Sequence, residues 1–140
     1  MASAAITEHA RPAFPAARLG WAMSGAAILF LGADAGAKLL MPEMMAAYTP
    51  PELRIPGDPA FYRLLGTILA LSAALYAVPR TAFLGALLLT AYLGGAVATH
   101  LSAGSPLFSN TFFGVYLGVA LWGGLWLREA RLRTLLPLRS

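Results

Sequence analysis

Cysteine does not occur in the sequence, and histidine occurs only as His9 and His100. Without thiolates the chain can form no disulfide, no iron–sulfur cluster and no thiolate zinc site. Two histidines are too few for a metal or haem site built mainly from imidazoles. We therefore expect no metal cofactor.

Charged residues are also scarce. They make up 11% of the 140 residues, whereas 59% are hydrophobic, and the mean hydropathy is +0.68. Soluble domains carry about 25% charged and about 45–50% apolar residues. A soluble domain of this size has too little interior to cover so much apolar surface, whereas a bilayer covers it. The composition therefore predicts an integral membrane protein whose main partner is the lipid bilayer.

The few basic residues are concentrated in one place. The net charge is +4, and Arg128, Arg131, Arg133 and Arg139 follow directly after an apolar run. Arginines that flank an apolar span are typical of the cytoplasmic side of membrane proteins, whereas a nucleic-acid site needs a basic stripe on a folded face. We therefore expect no nucleic-acid partner.

Four apolar stretches are each near the roughly 20 residues that an α-helix needs to cross the hydrocarbon core. Segments rich in proline and glycine separate them. The first stretch is longer than the apolar core of a secretion signal, so we expect it to be retained. The pattern predicts an all-α protein, an integral membrane four-helix bundle over residues 18–128, with helices at approximately 19–40, 61–78, 82–101 and 111–127.

The two flanking segments are predicted to be a flexible N-terminal tail, 1–17, and a basic C-terminal tail, 129–140. Four spans place both termini on the same side of the membrane. Of the nine arginines, seven would lie on that side, and only Arg54 and Arg63 on the other. Because basic segments stay in the cytoplasm, this bias predicts a multi-pass protein with both termini cytoplasmic.

The first span carries two charges. Asp34 and Lys38 are four positions apart, so they share one helix face and can pair. Gly25, Gly32 and Gly36 fall on roughly the opposite face, where small residues would let a neighbouring helix approach closely. A single charge at mid-bilayer costs at least about 2.5–3.5 kcal/mol, which pairing reduces. Two interpretations stay open: a polar site, or an interfacial lysine anchor partnered by Asp34.

Further polar residues fall at the same membrane depth as this pair, at the ends of the other three spans. They are Tyr62, Arg63, Thr99, His100 and Asn110, with Tyr92 on the same face as Thr99. A bundle open at that end would gather them into a cleft. We predict that the ligand-binding residues of this cleft are Asp34, Lys38, Tyr92, Thr99 and His100.

Each of these residues also has a simpler interpretation. Tyr92 and Thr99 are also consistent with helix packing, and His100 with an interfacial residue at a helix end. In the functional interpretation, His100 is a proton carrier near neutral pH. Gly114 and Gly118 form a GxxxG pattern, which favours close packing within the bundle or in a homo-oligomer.

Two stretches carry a resemblance to a known family. "DAGAKLL" at 34–40 and "LLGTILALSAALYAVPRTAFLGALLLTAYLGGAVATHLSAGSP" at 64–106 resemble the DoxX-like membrane proteins, and 76–100 is the most specific part. "GLWLREARLRTLLPLR" at 124–139 is similar to the usual ending of the family. The resemblance implies a four-helix protein of the bacterial inner membrane, and Asp34, Lys38, Tyr92, Thr99 and His100 match its pattern. Many members carry a glutamate near the position of Leu69, where this chain is apolar.

The family takes its name from the small subunit of a thiosulfate:quinone oxidoreductase. The resemblance therefore implies a quinone- or lipid-interacting subunit of a membrane redox system, with electrons supplied by a redox partner subunit. Two other functions stay open. One is a non-enzymatic scaffold or small-solute conduit, and the other is a proton-transfer enzyme acting on a lipid-soluble substrate. The residues do not decide whether the chain is an enzyme.

Overall fold

The computed structural model describes residues 14–135, and every regular element in that range is helical. In chain order these are α1 (Phe14–Leu40), α2 (Pro42–Ala47), a 3-10 turn (Pro51–Leu53), α3 (Pro59–Ala77), α4 (Ala82–Ser102), a π-helical turn (Leu107–Thr111), α5 (Phe113–Arg128) and α6 (Ala130–Arg133). The predicted all-α four-helix bundle is confirmed, with α1, α3, α4 and α5 as its members.

The first helix is longer than expected from the sequence. It begins at Phe14, ahead of the predicted start at Leu19. Residues 1–13 of the predicted N-terminal tail and residues 136–140 of the predicted C-terminal tail lie outside the described residues. The remainder of the predicted C-terminal tail includes a turn of helix, α6, whose first amides are capped by Glu129 through a bond from the Arg131 N–H.

Proline and capping residues set the helix boundaries. Asp58 caps α3 by accepting a bond from the Ala60 N–H at 3.0 Å, and Pro59 fills the first helical position, where no amide partner is needed. The same helix ends at Ala77 because Val78 precedes a proline and adopts an extended conformation. The Thr81 hydroxyl then donates to the Leu75 carbonyl at 2.8 Å, which fixes the tight turn into α4.

The four long helices form a ring in which each packs on two neighbours, in the order α1, α3, α4, α5 and back to α1. Successive helices run in opposite directions, so the bundle has two distinct ends. We call the end with the 41–58 and 103–112 connections the loop end. The other is the arginine end, where Gly20 near the start of α1 lies against Leu127 and Arg128 at the end of α5.

Glycines supply the closest contacts between these helices. An added Cβ would lie less than 3.0 Å from a neighbouring helix at Gly20, Gly66, Gly85, Gly114 and Gly124. At such positions a methyl group would force neighbouring atoms to shift. Each adjacent pair of long helices therefore has at least one glycine at its contact, because α1 meets α5 at Gly20 and Gly124, α1 meets α3 at Gly66, α3 meets α4 at Gly85 and α4 meets α5 at Gly114.

The glycines predicted to bring a neighbour close to α1 do not do so. Gly25, Gly32 and Gly36 have nothing within 4 Å of an added Cβ, so that prediction was wrong. The face of α1 that packs is instead the one with Ala27, Leu31 and Ala35, all of them buried. A periodic set of small residues does not by itself fix how a helix is rotated about its axis.

Of the two glycines in the GxxxG pattern, only one packs against a neighbouring helix. Gly114 packs within the bundle, against Leu93 and Val97 of α4, whereas Gly118 has nothing within 4 Å. Only one glycine of the pattern is therefore used inside the chain. A homo-oligomer through Gly114 and Gly118 stays a prediction.

The outer surface of the bundle is apolar, as expected for contact with lipid. Large aliphatic side chains point outward, including Leu29 at 76%, Leu71 at 63% and Val119 at 65% exposure. All four long helical segments are long and apolar enough to cross a membrane. In water so much exposed apolar surface would cause aggregation, whereas lipid covers it. The chain is therefore a multi-pass membrane protein.

A buried polar cluster joins three helices nearer the arginine end. The Tyr76 hydroxyl donates to the Leu121 carbonyl at 2.7 Å and lies 2.9 Å from the Ser24 hydroxyl oxygen, so Ser24 is the donor of the second bond. The ring of Tyr76 is fully buried. The Arg128 guanidinium lies 4.3 Å from the Trp21 ring centroid and 5.1 Å from that of Tyr76, which closes this end by cation–π contact.

Candidate functional site

A cavity of about 670 Å³ lies among the four long helices toward the loop end. Its volume is in the range of small-molecule sites. All five predicted site residues line it. The same cavity is lined by apolar side chains of all four long helices, which include Phe30, Leu31, Leu65, Ile68, Val97, Phe113 and Leu117. The cavity therefore combines apolar walls with a few polar groups.

The Asp34 and Lys38 side chains form an ion pair on the wall that α1 contributes. The lysine side chain is 12% exposed and that of Asp34 is 31% exposed. Both residues line the cavity. The apolar side chains around the pair strengthen the attraction between the two charges, and they make it costly to bury either charge alone.

The opposite wall, on α4, carries the other three predicted residues. Tyr92 is half-buried and is close enough to Asp34 for electrostatic interaction. Within residues 14–135 its hydroxyl has no hydrogen-bond partner. The Thr99 hydroxyl donates to the Gly95 carbonyl at 2.9 Å, so it offers the cavity only acceptor capacity. His100 Nδ1 lies 3.1 Å from the Ser105 hydroxyl, which orients the imidazole.

A cap that the sequence did not reveal covers the loop end of the cavity. The 41–58 connection contributes Met45, Thr49, Leu53 and Ile55 to the cavity lining. Because the Thr49 hydroxyl donates to the Met45 carbonyl at 2.7 Å, the Tyr62 hydroxyl is the donor in its bond to Thr49. This chain of bonds holds the cap on α3. Neither Met45 nor Thr49 belongs to a recognisable motif.

Of two further residues predicted to lie in the cleft, Asn110 lines the cavity and Arg63 does not. Arg63 does not line the cavity, because its guanidinium turns outward to Glu43 at 3.2 Å in an exposed ion pair. Asn110 does line it, together with the buried Thr111, since the π-helical turn brings both inward before α5 begins. Leu69, the position where the resemblance implies a glutamate, is fully buried in the core and does not line the cavity.

The polar groups of the cavity suit hydrogen bonding to a small head group. Asp34 is an acceptor, Tyr92 and Lys38 are donors, and His100 is either, depending on its tautomer. Within residues 14–135 no three His, Cys, Asp or Glu side chains are grouped to hold a metal ion. Groups of this kind form hydrogen bonds with the carbonyl or hydroxyl oxygens of small molecules.

Four apolar helices around a capped cavity define a small multi-pass membrane protein with a candidate binding site inside its span, whose polar wall consists of Asp34 and Lys38 on α1 with Tyr92, Thr99 and His100 on α4. The chain belongs to the DoxX-like family, whose sequence model matches residues 22–124. The resemblance stated from the sequence is thereby confirmed over most of the chain. No curated protein and no solved structure shows significant similarity to it.

Proposed function

We propose that the cavity binds a neutral lipid-soluble molecule of the quinone class, and that the chain acts as a quinone-binding subunit of a membrane redox system. One observation carries the proposal: hydrogen-bonding groups of α1 and α4 face each other across a cavity whose other walls are apolar. Such a cavity suits a ligand that has a polar ring and an apolar hydrocarbon portion. A purely polar solute would leave those apolar walls unmatched.

The pairing of Asp34 with Lys38 supports a binding role over an interfacial anchor. An anchoring lysine extends its ammonium group into the head-group region, where water solvates it. Lys38 is instead 12% exposed and bonded to Asp34 on the cavity wall. A quinone oxygen accepts hydrogen bonds from Lys38 and Tyr92, and the quinol form also donates to Asp34.

The redox part of the proposal requires a second protein. Reduction of a quinone to a quinol takes two electrons and two protons. The electrons would come from a partner subunit with its own redox cofactor. Protons would arrive through His100, which lies near the cap and is held by Ser105.

Binding is tested by titrating the purified protein in detergent with decylubiquinone and recording native mass spectra. We expect a saturable one-to-one adduct with the wild type. Tyr92→Phe should raise the dissociation constant about five- to tenfold, since one hydrogen bond contributes roughly 1 kcal/mol. The matched control is Tyr116→Phe, which removes a hydroxyl from an exposed tyrosine outside the cavity and should bind like the wild type.

Three outcomes would count against the proposal. The first is an adduct that does not saturate, and the second is its complete absence. The third is equal binding by Tyr92→Phe and Tyr116→Phe. With no adduct in any variant and unchanged stability, the cavity would be a packing feature of a scaffold protein.

We also propose that the chain resides in a bacterial inner membrane with both termini cytoplasmic. The seven-to-two arginine bias supports this orientation. It places the cap and the polar wall toward the outer face. Alkaline phosphatase, which is active only outside the cytoplasm, should be inactive when fused to the C-terminus and active when inserted in the 41–58 connection. The reverse pattern would invert the orientation.

A further inference from the structure

The cavity has four sides at the loop end, one between each pair of adjacent helices, and three of them are closed. Between α1 and α3, Gly66 packs so tightly that an added Cβ would lie 2.9 Å from the Lys38 Cβ. Between α4 and α5, Gly114 packs in the same way on Val97. Between α5 and α1, the rings of Phe30 and Phe113 meet edge to face, with centroids 5.2 Å apart.

The fourth side, between α3 and α4, is different. These helices are held together at the arginine end, where a Cβ on Gly85 would lie 2.2 Å from the Tyr76 backbone nitrogen. Toward the loop end no glycine within residues 14–135 brings α3 and α4 together in this way, and a Cβ on Gly95 would meet nothing within 4 Å. Because α3 and α4 have a close glycine contact at the arginine end and none at the loop end, a gap lies between them at the loop end.

Five residues on the two walls of this gap line the cavity, and three of them are exposed as well. On α3 the wall is formed by Phe61, Leu65 and Ile68, which share one helix face, and Ile68 is 45% exposed. On α4 it is formed by Ala91 and Gly95, both exposed. None of the five side chains carries a polar atom. The gap therefore leads from the polar wall to the hydrocarbon of the bilayer.

We infer that the gap between α3 and α4 is the seat of the ligand's hydrocarbon chain and its route to and from the bilayer. The inference rests on the binding function proposed above and specifies the ligand further. The ligand is an amphiphile, with a hydrogen-bonding head between Asp34 and Tyr92 and a chain long enough to leave through the gap. A chainless solute from the aqueous phase would gain nothing from the apolar walls of this gap.

Two adjacent glycines of α4 provide a matched test. Gly94 and Gly95 are both exposed and both have open space around an added Cβ, but only Gly95 lines the cavity. Replacing either by phenylalanine removes a helical glycine, and the new Cβ meets no neighbouring atom within 4 Å. Gly95→Phe places a ring in the gap, whereas Gly94→Phe places the same ring in the lipid.

Two probes distinguish the contribution of the ligand's hydrocarbon chain to binding from that of its head group. Decylubiquinone carries a ten-carbon chain, and 2,3-dimethoxy-5-methyl-1,4-benzoquinone has the same ring without it. By native mass spectrometry we expect Gly95→Phe to weaken decylubiquinone binding at least tenfold and to change binding of the chainless quinone less than twofold. Gly94→Phe should change neither. Ile68→Trp, on the opposite wall, should behave like Gly95→Phe.

Equal decylubiquinone binding by Gly95→Phe and Gly94→Phe would overturn the inference, and the proposed function would stand. Loss of both probes in Gly95→Phe and Ile68→Trp would also overturn it, because the obstructed region would then be the head site. If the wild type binds neither probe, the proposed function itself fails and the inference falls with it. Melting curves recorded on all variants confirm that the compared proteins are folded.

Discussion

Gly85→Ala is expected to prevent the protein from accumulating as a folded bundle. The new Cβ would lie 2.2 Å from the Tyr76 nitrogen, 2.5 Å from its Cα and 2.7 Å from the Leu75 carbonyl carbon. All three are backbone atoms, so no side chain can rotate away to make room. The helices must separate, which also strains the Tyr76 bonds to Ser24 and Leu121. Overpacking of this kind costs about 1–3 kcal/mol, and more where the backbone must move.

The measurement compares Gly85→Ala with Gly94→Ala, a change of the same size on the same helix. Membrane-fraction blots give the amount of protein, and thermal melting in detergent gives the stability. Gly94→Ala has open space around the new methyl group and should match or exceed the wild type, since alanine favours a helix by up to about 1 kcal/mol over glycine. Equal amounts and equal Tm for the two variants would show that α3 and α4 are not in close contact at Gly85.

The number and position of the long helices followed from the sequence because a bilayer imposes a length. A helix must be apolar for about 20 residues to cross the hydrocarbon, so apolar runs separated by prolines mark the spans. The same reasoning predicted which residues share a depth. Asp34 and His100 both lie toward the loop end for this reason, and they line one cavity.

Helix rotation was not predictable in the same way. In lipid both faces of a helix are apolar, so the contrast between a polar and an apolar face that orients a soluble helix is missing. Small residues were the remaining signal, and they misled at Gly25, Gly32 and Gly36 because α1 has small residues on several faces. The glycines that do pack, such as Gly66 and Gly85, are recognisable only once the neighbouring backbone is present.

The cap and the Tyr76 cluster were missed for a further reason. Thr49 reaches Tyr62 only because the 41–58 connection folds back over α3, and loop conformation of that length depends on tertiary contacts. Ser24 and Tyr76 are far apart in the chain, and neither belongs to a motif. Their pairing depends on the rotations of α1 and α3, which the sequence pattern left open.

The second large effect is expected at the ion pair of the cavity wall. Lys38→Met would leave the Asp34 carboxylate facing an apolar cavity without its partner, which costs about 3 kcal/mol for a pair this buried. We expect Tm to fall by roughly 10 °C. Asp34→Leu should cost less than this, because Lys38 lies in the last turn of α1 and its long side chain can reach the interface.

The double variant Asp34→Leu/Lys38→Met should recover most of the lost stability, because it removes both charges together. The matched control is the exposed pair of Glu43 and Arg63, whose side chains are 67% and 57% exposed. Glu43→Leu and Arg63→Met should therefore leave both the amount of protein and Tm nearly unchanged. If Lys38→Met is as well tolerated as Arg63→Met, the pair does not face the interior as described.

The double variant also separates a structural role of the pair from a binding role. A pair that only holds α1 in place is dispensable once both charges are removed, so decylubiquinone should then bind as tightly as it does to the wild type. A pair that recognises the ligand head is not dispensable. In that case the double variant should melt close to the wild type and bind at least tenfold more weakly, since two hydrogen-bonding partners are lost at about 1 kcal/mol each. Restored stability together with undiminished binding would therefore assign the ion pair to folding, and the ligand head would have to be recognised by the remaining predicted residues, Tyr92, Thr99 and His100.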